Sequence, residues 1–266
     1  MNFHLRYHAP AEEKPLDTYA PDGGFASIFR TVAFVGDSLS SGEFETVDGT
    51  GSKHYYDMFE YSWGQFLARM AGLTVYNFSR GGMTAAEYCE GYAASRGWWD
   101  ADKAAQAYVI ALGVNDIMNA GRPLGEMGDI CLDDPTQNAK TFTGYYARII
   151  QQYKAIQPDA KFFLVTMPVE EFPHSPGTPA DGDAHARRLH ELADFFDNTY
   201  VIDLRAYGPK YDDEFKETFF LHGHMNPMGY RLTAEMIGSY IDYIIRHNPK
   251  DFAHVGFIGN QVAMLC

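Results

Sequence analysis

Five short apolar runs alternate with longer segments of helical periodicity between residues 31 and 248. That alternation restricts the possible folds more than any other feature of the chain. The runs are TVAFVG (31–36), LTVYNF (73–78), QAYVIALG (106–113), AKFFLVTMP (160–168) and YVIDL (200–204). They are short, rich in β-branched and aromatic residues, and several close on Gly or Pro, as buried strands do. Helical patterns fill 61–72, 84–96, 138–157, 183–199 and 227–248. In 138–157, Phe142, Tyr145, Tyr146, Ile149, Ile150, Tyr153 and Ile156 form one stripe at a spacing of 3.6. Pro227 stands where a last helix would start. Strands alternating with helices predict right-handed βαβ crossovers and a five-stranded parallel sheet covered on both faces, an α/β fold.

The expected organisation is an N-terminal arm (1–30), one domain (31–248) and a C-terminal tail (249–266). At 266 residues and 46% hydrophobic, the chain can bury a full core. No apolar run approaches the roughly 20 residues of a membrane helix. The opening MNFHLRYHAPAEEK lacks the apolar centre of a signal peptide, so a cytoplasmic location with no membrane partner is expected. A net charge of −14, with Arg187-Arg188 as the only adjacent basic pair, disfavours nucleic acid as a partner. The three cysteines, Cys89, Cys131 and Cys266, are odd in number and widely spaced, which argues against a disulfide framework or a cysteine zinc site. Oligomeric state is not readable.

In a sheet of this kind, ligands bind beyond the carboxyl ends of the strands. Chemically capable residues cluster there. Gly36-Asp37-Ser38-Leu39-Ser40 follows the first run, placing a serine at the mouth of the sheet next to free backbone N–H groups if a helix begins there. A plain helix cap is the alternative reading of Asp37 and Ser38. Gly81-Gly82 and Thr84 follow the second run, where paired glycines permit close backbone approach to a ligand. Gly113-Val114-Asn115-Asp116 follows the third, with an Asn115 amide able to donate to an oxyanion and Asp116 able to brace the loop. His222-Gly223-His224 precedes the last helix, and a histidine there can take a proton from a serine after the first strand. His174 lies in the loop after the fourth run and faces the site edge. The histidines at 4, 8, 54, 185, 190, 247 and 254 are assigned to surface or helix faces. Nucleophile, oxyanion donors and base, in chain order at one sheet edge, are the parts of acyl transfer.

These residues resemble the SGNH (GDSL) hydrolase superfamily over roughly residues 31–246. Gly36-Asp37-Ser38-Leu39-Ser40 resembles its first block, Asn77 with Gly82 and Thr84 its second, Gly113-Val114-Asn115-Asp116 its third, and His224 with Asn226 and Gly229-Tyr230 its last. The resemblance implies a three-layer flavodoxin-like fold with strand order 2-1-3-4-5. It implies an esterase or acylhydrolase that needs no cofactor or metal, with Ser38 as nucleophile, Gly82 and Asn115 as oxyanion donors and His224 as base. One part departs from the pattern. The family places an Asp three residues before the histidine, where this chain has Leu221.

Three arrangements remain open for that missing acid. A backbone carbonyl near 221–223 can accept from Nδ1 and leave a Ser-His dyad, the favoured reading. An acid can come from elsewhere, such as Glu43, Glu217 or Asp213. Otherwise the site binds without turnover. A metal site on His222 and His224 with Asp37 or His174 is a separate alternative, lacking a third ligand at convincing spacing. For substrate, the aromatics Phe44, His54, Tyr55, Tyr56, Phe59 and Tyr61 of a loop at 43–62, with Trp98-Trp99, can stack on sugars, line an acyl pocket or pack the core. With no apolar lid helix in the sequence, the expectation is a short acyl group, acetyl above all, on a carbohydrate or other small polar molecule.

Overall fold

The computed structural model describes residues 9–171 and 177–260. The central sheet holds β1 (Thr31–Gly36), β4 (Thr74–Ser79), β5 (Ala107–Ala111), β6 (Lys161–Val165) and β7 (Thr199–Ile202). Two further strands, β2 (Glu43–Val47) and β3 (Lys53–Asp57), lie between β1 and β4 in the chain, and β8 (Phe220–Leu221) and β9 (His224–Met225) come last. The sheet is parallel throughout, in the order β4-β1-β5-β6-β7. Counting only its own strands, that is 2-1-3-4-5, the order the resemblance implies.

The strands are buried on both faces because their alternate residues enter two separate cores. Ala33, Val35, Tyr108, Ile110, Phe162 and Leu164 pack with the helix Phe142–Ile156. Val32, Phe34, Val109, Phe163 and Val165 pack with the helices Trp63–Ala71 and Pro227–His247. The result is three layers around one sheet. Each helix begins on a polar cap: Ser62 accepts from Gln65 N–H, Thr141 from Gly144 N–H, and Asn226 from the Met228 and Gly229 N–H groups.

Several elements differ from the sequence reading. The segment 84–96 is not one helix, since Gly91 takes φ 135° and breaks it between short turns. The helix expected over 183–199 runs from Pro179 to Phe195, started by a capping box of Thr178 and Asp181. Within 43–62, expected as a loop, residues 43–57 form a β-hairpin. A helix at Asp213–Phe219 was not foreseen.

The segment before β1 is strapped to the C-terminal helix. Arg246 donates to both carboxylate oxygens of Glu13, and the Phe25 N–H donates to Asp242. The segment after that helix closes the amino end of the sheet, where Gln106 donates to the Val255 and Ile258 carbonyls.

Candidate active site

Ser38 opens a four-residue helix directly beyond β1, with Asp37 as the cap that accepts from the Leu39 N–H. The order of the sheet places β4 and β5 on either side of β1, so their ends flank this turn. Both readings of Asp37-Ser38 therefore hold together: Asp37 caps, and Ser38 lines the cleft. Burial pushes the Asp37 carboxyl up to about 7, against the Leu39 hydrogen bond and the nearby His224, which pull it down.

Gly82 and Asn115 line the same cleft, a cavity of about 560 Å³. Gly82 has φ 69°, a conformation that favours glycine. Asn115 follows Gly113 at φ 143°. Its amide nitrogen donates to the Met83 carbonyl at 3.2 Å and lies 3.4 Å from Asp37 Oδ2, linking the three strand ends. Asp116 is fully buried and accepts from the Ala85 N–H at 2.8 Å, so it braces the Gly82 loop. Asn77 donates weakly to the Ser41 carbonyl, at 3.5 Å, from behind the Ser38 turn.

His224 reaches the cleft from the β8–β9 hairpin, which turns at His222 (φ 61°) and Gly223. Its Nδ1 lies 3.3 Å from Glu45 Oε2, and its Nε2 lies 3.1 Å from Glu43 Oε1. Both glutamates belong to β2. The period of two along a strand sends their side chains to one face, together with Tyr55 and Lys53 of β3, while Phe44 turns the other way onto Tyr61 and Tyr230. Glu45 is buried, and Lys53 Nζ sits 2.7 Å from its other oxygen. Glycine makes room for each carboxylate. A Cβ on Gly223 would stand 2.4 Å from Glu45 Oε2, and one on Gly81 would collide with Glu43. The Tyr230 hydroxyl donates to the Glu43 carbonyl at 2.6 Å, and Ser41 Oγ donates to Asp57 at 2.6 Å, tying the hairpin to the last helix and to the Ser38 turn.

Burial alone would lower the His224 pKa. The hydrogen bonds and charges of Glu43 and then Glu45 outweigh it and raise the imidazole above its ordinary value. Burial alone would raise Glu45. Lys53 and His224 outweigh it and hold the carboxyl below the usual range.

The partner of Nδ1 is thus a carboxylate from 179 residues upstream and not a carbonyl of 221–223. Glu43, weighed as that acid, is placed on the other ring nitrogen. Asp213 and Glu217 are exposed and do not line the cleft. The sequence reading missed Glu45. The pattern EFETV, opposite KHYYD across a DGTG turn, was the signal that could have revealed a hairpin with two glutamates on one face.

His185 also has a place that the reading missed. It is on a helix, yet wholly buried, with Nε2 3.1 Å from the Leu112 carbonyl and its ring behind Gly113. Burial pushes its pKa down to about 4, so it is a neutral support for the Asn115 turn. His174, His4, His8 and Cys266 lie outside the described residues. Trp98 and Trp99 pack on Tyr88 and Tyr153 in the core rather than at the cleft, and Cys89 is buried with them. Tyr55 does line the cleft, its ring edge-on to His224. Among the described residues, no group of three or more His, Cys, Asp or Glu is arranged to hold a metal ion, and no helix is long and apolar enough to cross a membrane.

Residues 34–232 match the model of the GDSL-like lipase/acylhydrolase family. No curated protein matches the chain. Among solved structures, one crystal structure is similar at 26% identity and TM-score 0.61, over 80% of this chain and 96% of its own. A family two carbohydrate esterase from Clostridium thermocellum in complex with cellohexaose is similar at 17% identity and TM-score 0.55, over 91% of this chain and 67% of its own. An acetyl xylan esterase, AlAXEase, is similar at 19% identity and TM-score 0.52, over 79% and 99%. The last two likenesses are likenesses of fold.

Proposed function

The chain belongs to the GDSL-like lipase/acylhydrolase family and is a carboxylic ester hydrolase, and from that premise we propose that Ser38, His224 and Glu45 form its catalytic triad. Ser38 Oγ attacks the ester carbonyl carbon while its proton passes to His224 Nε2. Glu45 accepts the Nδ1–H, which fixes the tautomer and stabilises the imidazolium as it forms. The carbonyl oxygen becomes an oxyanion held by the Ser38 and Gly82 N–H groups and the Asn115 amide. Collapse breaks the C–O bond, and the alcohol leaves with the proton from Nε2. Water then repeats the sequence on the acyl-Ser38 ester, with His224 again as base, and releases the acid.

The single observation that carries this reading is the contact of His224 Nδ1 with Glu45. It supplies the charge that Leu221 does not, and with it goes the reason for treating the scaffold as binding-only. Glu43 on Nε2 must give way when Ser38 transfers its proton. Hydrogen bonds of a substrate-free site commonly differ from those of the complex in this manner.

For the substrate, we propose short acyl groups, acetyl first, esterified to a carbohydrate or another small polar alcohol. Tyr55 at the cleft, half-exposed, offers a ring face for a sugar, and the polar walls Glu43, Lys53 and His222 offer hydrogen bonds to hydroxyls. Two of the relatives in fold described above are named as a carbohydrate esterase and an acetyl xylan esterase, which favours that class. The test is hydrolysis of p-nitrophenyl acetate and of an acetylated xylo-oligosaccharide by wild type and Ser38→Ala. Turnover that survives the substitution overturns the proposal. So does wild type that cleaves long-chain esters and ignores acetyl esters.

A further inference from the structure

A second, smaller cavity of about 80 Å³ lies beside the cleft, at the carboxyl ends of β1, β5 and β6. Its walls include Leu39, Val114, Val165, Met167, Leu204 and Ile237. Asp37, Leu39 and Val114 belong to both cavities. The residues on either side of Ser38 therefore line both cavities, as does the residue before Asn115, so the two adjoin at the Ser38 turn.

The two cavities differ in chemistry. The large one presents Glu43, Lys53, Tyr55 and His222. The small one is apolar, and most of its polar wall groups are turned to other partners. Asp37 accepts from the Leu39 N–H, Thr166 Oγ1 donates to Asp203, and Thr233 Oγ1 donates to the Gly229 carbonyl. An ester has the same two sides, an acyl chain that gains by leaving water and, here, a polar alcohol that does not.

Resting on the hydrolase reading above, we propose that this small pocket receives the acyl chain, and that its size sets the chain length the protein accepts. An apolar cavity of about 150 Å³ holds the six carbons of benzene, so this one holds about three carbons beyond the carbonyl. Acetyl fits with space to spare, butyryl fills the pocket, and hexanoyl or longer chains must leave carbon in water or push the walls apart. A methylene too many for the pocket costs about 10-fold or somewhat more in selectivity. Met167 lines the small cavity and not the large one that holds Ser38, Asn115 and His224.

The experiment measures kcat/KM for p-nitrophenyl esters of two, four, six and eight carbons with wild type, Ser38→Ala and Met167→Ala. The proposal expects Ser38-dependent activity in wild type that holds or rises to four carbons and falls about 10-fold or more by eight. Met167→Ala should move the fall to longer chains. A wild-type profile that is flat, or that climbs through eight carbons, overturns the pocket assignment and leaves the hydrolase reading standing. A shortened wild-type profile that Met167→Ala does not move also overturns it. No Ser38-dependent turnover at any length overturns both. Competitive inhibition of wild type by n-alkylboronic acids reads the same pocket without any substitution. Inhibition should strengthen to about three alkyl carbons and then weaken, and steady strengthening to eight overturns the proposal.

Discussion

Glu45 Oε2 lies 3.3 Å from His224 Nδ1, although 179 residues separate the two in the chain. The carboxylate arrives on β2, immediately after the Ser38 turn, and the imidazole arrives on the short hairpin before the last helix. In the proposed triad the acid and the nucleophile are thus close in sequence while the base is remote.

Glu45→Gln should lower kcat by about 10²- to 10⁴-fold with little change in KM, because the charge on Nδ1 matters once the imidazolium forms. Steady-state kinetics on an acetyl ester measure it. A kcat within a factor of two of wild type would return the role to a backbone carbonyl.

Gly223→Ala should act through the same contact. The new Cβ would stand 2.4 Å from Glu45 Oε2, so the carboxylate must move away from His224. A kcat loss comparable to that of Glu45→Gln is expected, with thermal unfolding showing a folded protein.

The pH profile should reveal the second glutamate. His224 is raised above its ordinary pKa by Glu43 and Glu45 against the opposing effect of burial. As a base it must be neutral, so kcat/KM should rise with pH through that raised value. Glu43→Gln removes one of the two charges and should move the acid limb to lower pH. An unmoved limb would show that Glu43 does not act on His224 in solution. The stability linked to this group has the opposite sense: His224 contributes it fully below its unfolded pKa and loses it as pH rises through the raised value. Glu45, held low by Lys53 and His224, contributes above the ordinary carboxylate range and loses it as pH falls through its lowered value.

Asn115→Ala should cost about 10²- to 10³-fold in kcat and little in KM, the usual effect of removing one oxyanion donor. Comparing the loss for an ester with the affinity for a boronic acid inhibitor checks it, since both depend on the same donor.

Arg246→Ala should destabilise by about 3–5 kcal/mol in urea unfolding, because it leaves Glu13 and Asp242 buried without their cation. Catalysis at temperatures where the variant remains folded should be little changed, since neither acid lines the cleft.

The sheet was legible because its signal is local. Each strand carries its own run of buried residues, and the stripe from Phe142 to Ile156 marks a helix without reference to anything else. The strand-end residues Ser38, Gly82 and Asn115 were legible for a related reason: a parallel sheet delivers the ends of all its strands to one edge, so chain order predicts proximity. Three features had no such local signature. Gly91 breaks a helix that its neighbours would continue. His185 is buried behind Gly113, although its helix has an otherwise polar sequence around it. The strand 43–47 is half polar, and its glutamates are held by the half-buried His224 and by Lys53.

The amino-acid sequence by itself therefore determined the parallel sheet and the position of Ser38 at its mouth, since these follow from periodicity and from the way parallel strands are connected, while the strand order followed from the family resemblance that its motifs carry. Only the tertiary structure decided what stands on His224. That depends on the approach of two hairpins with no periodic relation to each other, and on Gly81 and Gly223 leaving room for two carboxylates. A charge needs a partner within a few ångströms, and such a distance is a property of packing, which no spacing along the chain encodes.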